Sequence, residues 1–183
     1  MARKKIGSRG SGKTIIRVFC EGESEQAYTE FLKDKFCDVA VIKYPKETGL
    51  FDRAEDRFKK DPSYRDYTDV IDEVWFFFDV EIKDIAKWDR RYRTINWLRK
   101  LRKDKEIRVR LLMTTGCIEY WFMLHRKFYM PSLQTVAEKE KVIAELKVEE
   151  PLYEKGNRGI SDKCKKNSRK TLGGGAAGFG GYG

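Results

Sequence analysis

Two stretches decide the fold. Thr14–Cys20 reads TIIRVFC, with Glu21-Gly22-Glu23 directly after it; Val74–Phe78 reads VWFFF, with Asp79-Val80-Glu81 directly after that. A short continuous apolar run closed by polar turn residues fits a strand buried on both faces, as in a parallel sheet. In open parallel α/β sheets the functional crevice lies beyond the carboxyl ends of the strands. Glu21, Asp79 and Glu81 are therefore expected on one edge of the sheet. Acids gathered there on a basic chain point to a divalent metal site facing a phosphate ligand.

The elements around these runs alternate. Ser24–Phe36 carries Ala27, Tyr28, Phe31, Leu32 and Phe36 at helical spacing, with Ser24 as its expected N-cap. Val39–Tyr44 is a second short strand ended by Pro45, and the β-α-β order favours parallel pairing. Leu50–Lys60 is a weaker helical pattern that Pro62 breaks. Asp84–Lys103 predicts a longer helix. Its apolar face holds Ile85, Trp88, Tyr92, Ile95, Trp97, Leu98 and Leu101, and its other face is largely Arg and Lys. Ile107–Met113 predicts a fourth strand nearer an edge, followed by helices over Cys117–Arg126 and Gln134–Lys147.

The fold class is therefore α/β, a mostly parallel central sheet of about four strands flanked by helices. Residues 1–13 form a basic lead-in expected to be flexible, and 14–130 the α/β domain. Residues 131–172 make a helical and basic appendage, and 173–183 (GGGAAGFGGYG) a Gly-rich tail expected to be disordered.

A net charge of +10 points to polyanionic partners, nucleic acid first. Four cysteines without a CxxC pair, and a lone histidine, His125, argue against structural zinc. The sequence has no apolar signal core and no run of roughly 20 apolar residues, which predicts a cytoplasmic protein with reduced thiols and no membrane partner.

Gly7–Thr14 (GSRGSGKT) matches the Walker A pattern, but its order is wrong. A P-loop needs a strand before it and a helix after it. Here only MARKKI precedes, and the β-branched run IIRVFC follows.

D-x-E on an extended segment directs both side chains to one side, so Asp79 and Glu81 can share an ion. Glu23 reads as a helix-entry acid. Glu119, in the first turn of its helix, reads as a dipole partner. His125 and Tyr28 read as structural. The Arg/Lys face (Arg90, Arg91, Arg93, Arg99, Lys100, Arg102, Lys103) reads as a solvated face or a phosphate-contact stripe.

Three blocks carry a resemblance. Ile16–Tyr28 (IRVFCEGESEQAY) resembles the opening of RloB-like proteins, Asp72–Glu81 (DEVWFFFDVE) their strand ending in D-x-D, and Gly116–His125 (GCIEYWFMLH) their N-P-C-F-E-L-W-L-L-L-H block. Tyr153-Glu154-Lys155 echoes a C-terminal basic patch of that family. The resemblance implies a Toprim-like fold for 14–130 and a nuclease effector of prokaryotic anti-phage defence, with an RloA-type ATPase partner. It implies Glu21 as general base or metal ligand, Asp79 and Glu81 as ligands of Mg²⁺ (or Mn²⁺), and Glu119 near the site. Two departures stand out: Glu81 where Asp is usual, and Thr115-Gly116 where Asn-Pro is usual. They keep a second reading open, a nucleic-acid-binding or ATPase-docking subunit with a degenerate site.

Overall fold

The computed structural model describes residues 12–80, 86–114 and 116–155. Four strands, β1 (Thr14–Cys20), β2 (Ala40–Lys43), β3 (Glu73–Asp79) and β4 (Arg108–Thr114), form one sheet in the order β2-β1-β3-β4, and every pairing is parallel. Six α-helices flank it among the described residues: α1 (Glu23–Lys35), α2 (Phe51–Lys60), α3 (Pro62–Arg65), α4 (Trp88–Arg99), α5 (Ile118–Leu124) and α6 (Val136–Glu149). This is the expected α/β class, and it is consistent with a Toprim-like fold.

The period of two along the strands explains why both runs are apolar throughout. On β1, Ile16, Val18 and Cys20 face one core with Tyr28 and Phe31 of α1, Ile118, Phe122 and Met123 of α5, and Val142 and Leu146 of α6. Phe19 faces the opposite core, as do Val74, Phe76 and Phe78 of β3. There they meet Phe51, Ala54 and Phe58 of α2 and Ile95 and Leu98 of α4. Phe51 stacks on Phe76 with ring centroids 4.2 Å apart. Each phenylalanine buried in this way contributes about 1.5–3 kcal/mol. The segment beyond residue 130 shares the first core through Val142, Leu146 and Tyr153.

The strand order creates a crevice. The chain leaves β1 through α1 to reach β2 on one side, and leaves β3 through α4 to reach β4 on the other. α1 packs on one face of the sheet and α4 on the opposite face. The carboxyl ends of β1 and β3 thus flank the point where the winding reverses, the usual place for a ligand in such sheets.

Several local expectations change. Gly22 is the N-cap of α1, with extended backbone and no side-chain cap, while Ser24 is buried inside the first turn. Pro62 opens α3 at its N-terminus, with the Asp61 carboxylate accepting from the Ser63 N–H at 2.9 Å. On α4, Tyr92 is exposed and Arg91 is buried. The Arg91 guanidinium lies 5.3–5.4 Å from the rings of Phe51, Phe78 and Trp88, whose faces attract a cation. Arg102 is also buried, bound to Asp104 at 2.6 Å, so these two residues leave the expected basic face.

At the opposite edge of the sheet, Lys13 and Thr14 lead straight into β1, and the Lys13 Nζ donates to the Cys37 carbonyl at 2.9 Å. Among the described residues Gly12–Thr14 run into a strand and not into a helix, so this end of the Walker-type segment lacks the phosphate-binding helix N-terminus that a P-loop needs. Among the described residues no helix is long and apolar enough to cross a membrane.

Candidate active site

β1 and β3 place Glu21 and Asp79 side by side. The Glu21 backbone N–H donates to the Phe77 carbonyl at 3.0 Å, extending the ladder one residue past β1. The Asp79 backbone N–H donates to Glu21 Oε2 at 3.1 Å. On its other side Asp79 pairs in register with Thr114 of β4, whose hydroxyl donates to Asp79 Oδ1. The two expected acids therefore meet at the switch point. Glu81, the third, lies outside the described residues.

Two further acids stand behind them. Glu119 is 1% exposed and projects from the first turn of α5. Its Oε1 accepts from the Tyr153 hydroxyl at 2.7 Å, while Oε2 is buried with no partner in hydrogen-bond geometry. Glu25, from the first turn of α1, is buried as well. A Cβ added at Gly22 would lie 2.7 Å from Glu25 Oε2, so a glycine is what leaves room for that carboxylate.

These groups influence one another. Burial pushes the Glu25 carboxyl above its ordinary value, and the negative charges of Asp79, Glu119 and Glu21 add to the effect. Asp79 is raised too, by burial first and then by Glu119. The Thr114 hydrogen bond and the Lys139 and Lys155 charges pull the other way. Burial also drives the Cys117 thiol up to about 11, with the Glu119 and Asp79 charges contributing, so it is a packed thiol rather than a nucleophile. His125 sits away from this group: its Nε2 lies 3.2 Å from the Tyr28 hydroxyl, and burial lowers its pKa.

A cavity of about 700 Å³ opens beside Glu21, lined also by Gly49, Arg53, Lys87, Arg90 and Arg91. The Gly49 N–H donates to the Cys20 carbonyl at 2.8 Å, tying the loop before α2 to the end of β1. Its φ of +143° is one that glycine adopts readily, and an added Cβ would meet Arg53 Cβ at 2.9 Å. Glu21 at the end of β1 thus faces cations from α2, α4 and the turn before α4, with Asp52 and Asp56 of α2 among them.

A family model described as RloB-like protein matches residues 16–172. The chain belongs to the RloB-like family. The match spans the three blocks that carry the resemblance and continues through α6 and Tyr153. No curated protein matches the chain.

Family resemblance implies a divalent ion, and the donor chemistry can be set against it. Among the described residues no three His, Cys, Asp or Glu side chains converge to hold a metal by themselves. Mg²⁺ asks for less, since it takes one or two carboxylates and keeps several waters or substrate phosphates. Glu21 and Asp79 supply that pair with oxygen donors only. Burial first, and neighbouring negative charge after it, raises the pKa values of Asp79 and Glu25, and a cation would relieve the second cause. The residues fit a hard divalent cation.

Glu25 falls inside the first resembling block and Tyr153 in the C-terminal echo, but neither block marks them as site residues. Glu25 was within reach of sequence reasoning, because it lies in the first turn of the helix that follows Glu21. Tyr153 reaches Glu119 across 34 residues, a pairing that only the packing of the chain produces.

Proposed function

We propose that this protein is a metal-dependent nuclease that hydrolyses phosphodiester bonds in anti-phage defence. The observation that carries the reading is the Glu21–Asp79 pair at the sheet's switch point, beside a cavity lined with Arg and Lys. In this reading Glu21 and Asp79 hold Mg²⁺ or Mn²⁺, with Glu81 completing the set. Bound there, the ion supplies Lewis-acid stabilisation of charge on the phosphoryl oxygens. Arg53, Lys87 and Arg90 neutralise the substrate backbone and set it against the acids. Glu21, exposed at the crevice, is the group placed to accept a proton from the attacking water. Glu119, fixed by Tyr153, and Glu25, behind Gly22, line the back of the site.

The test is cleavage of single- and double-stranded DNA and RNA by the full chain with Mg²⁺, Mn²⁺ or EDTA. Cleavage with either metal that EDTA abolishes is the expected result. A second reading, a nucleic-acid-binding or ATPase-docking subunit without turnover, is favoured by one observation: among the described residues no three acids converge as a metal cage. It predicts salt-dependent binding with no cleavage under any of these conditions.

A further inference from the structure

A second cationic site lies on β1, four residues before Glu21 and roughly 13 Å along the strand from it. Arg17 points to the same side of the sheet as Phe19, toward α3, yet it is 3% exposed and its Nε and Nη1 are buried with no hydrogen-bond partner. Its guanidinium lies 5.5 Å from the Tyr64 ring. Among the described residues no carboxylate pairs with it. A buried charge is costly unless paired, and truncating one member of a buried pair is costly because it leaves the other uncompensated. Arg17 is in that uncompensated condition, and burial lowers its pKa accordingly.

The missing partner has a place to bind. Arg17 lines a cavity of about 810 Å³ that wraps the β2 edge of the sheet, with Arg57, Ser63 and Tyr64 on its own face and α1 on the other. That volume lies within the roughly 300–1,000 Å³ typical of small-ligand pockets. Lys33, Lys43, Lys46 and Arg57 also line it, against the single carboxylate of Glu30. Arg57 is already shared by Glu47 at 2.5 Å and Asp61 at 2.8 Å. Lys33 lies on the α1 side of the sheet, so Arg17 remains with Lys43 and Lys46, an excess that matches a dianion better than a carboxylate. The wall is also braced: the Gln26 side-chain amide donates to the Lys46 carbonyl at 3.2 Å, holding the loop after β2 in place.

We propose that this cavity binds the phosphate group of a small molecule, with Arg17 as the buried anchor and Lys43 and Lys46 as the rim. It is a site separate from the acids at the strand ends, and it holds whether or not those acids cleave nucleic acid. The phosphate could be inorganic phosphate or that of a mononucleotide, and the Tyr64 ring beside Arg17 suits either.

Isothermal titration and thermal melting of the full chain at fixed ionic strength test this, using inorganic phosphate, adenosine 5′-monophosphate and adenosine. The wild type is expected to bind phosphate and to melt higher in its presence, and adenosine is expected to do nothing. Tighter binding of the monophosphate than of phosphate assigns the source as a nucleotide; equal binding assigns it as phosphate itself. Arg17→Met and the surface pair Lys43→Glu/Lys46→Glu should each bind at least about tenfold more weakly. Arg17→Met should melt no lower than wild type in phosphate-free buffer, because it removes an uncompensated charge. Asp79→Asn should keep the full phosphate response. Absence of binding by the wild type, equal binding by Arg17→Met and by the lysine pair, or an Arg17→Met protein that melts well below wild type without phosphate would each overturn the proposal.

Discussion

The Asp79 backbone N–H and the Glu21 carboxylate are 3.1 Å apart, so the ends of β1 and β3 are joined through the side chain of one of the three proposed metal ligands. Fold and site are coupled at this point. Glu21→Gln keeps an oxygen acceptor for the Asp79 N–H and loses only the charge. It should therefore melt close to wild type while losing metal-dependent cleavage by about 10²-fold or more. Glu21→Ala should also lower the melting temperature. Circular dichroism melts run beside the cleavage assay check both.

The acids give the stability a defined pH dependence. Glu25 and Asp79 have folded-state pKa values above the ordinary carboxylate value, through burial first and neighbouring charge second. The folded chain therefore binds their protons more tightly than the unfolded chain. Their contribution is most favourable below the ordinary carboxylate pKa and is lost as pH rises through the raised values. In metal-free buffer, Glu25→Gln and Asp79→Asn should flatten the melting profile as pH rises above the ordinary carboxylate value of about 4. Each should raise the melting temperature at the alkaline end. Saturating Mg²⁺ should stabilise the wild type at that end and have a smaller effect on Asp79→Asn.

Tyr153 ties the chain's C-terminal part to the site through its hydrogen bond to Glu119. Tyr153→Phe leaves a fully buried carboxylate with neither oxygen satisfied. The expected cost is about 1–3 kcal/mol, read by urea denaturation. Tyr153→Phe/Glu119→Gln should recover part of it, since the amide carries no charge to strand.

These last two relationships mark where the sequence stops being legible. β1 and β3 were readable because buried parallel strands are apolar on both faces, and the acids after them were readable because the chain must turn there. The paired position of Glu21 and Asp79 follows from those two facts once the strands are neighbours. The first helix was readable from Ala27, Tyr28 and Phe31, but its cap was not: Gly22 is extended and Ser24 turns inward. Pro62 looked like a break because its missing N–H ends a helix, yet the same property suits the first position of a new one. Arg91 looked solvent-facing from its charge, and only the aromatic trio of Phe51, Phe78 and Trp88 draws it inward. Glu119 sat on a recognisable helix, but its burial depends on Tyr153, which no local pattern relates to it.

Gly116 sets the direction of α5 and so of Glu119. Its φ is +99°, and an added Cβ would lie 2.8 Å from Leu133 Cβ. Gly116→Ala meets strain and a clash together and should cost about 1–3 kcal/mol. Chemical denaturation measures the loss, and activity should fall with it as α5 shifts.

The cationic wall makes a separate prediction about binding. Arg53 and Arg90 line the cavity beside Glu21, and Arg90 also contacts exposed Asp52 at 2.8 Å. Arg53→Ala and Arg90→Ala should weaken nucleic-acid binding and make its dependence on log salt shallower by about one for each phosphate contact removed. Fluorescence anisotropy across a salt series reads the slope.

The central claim is that the carboxylates at the switch point perform metal-dependent hydrolysis, and it is tested most directly by comparing wild type with Asp79→Ala in a cleavage assay containing Mg²⁺ or Mn²⁺. The account predicts cleavage by the wild type and a loss of about 10²-fold or more in the variant, with nucleic-acid binding retained. Equal cleavage by the two proteins, or none by the wild type with either metal, would contradict it.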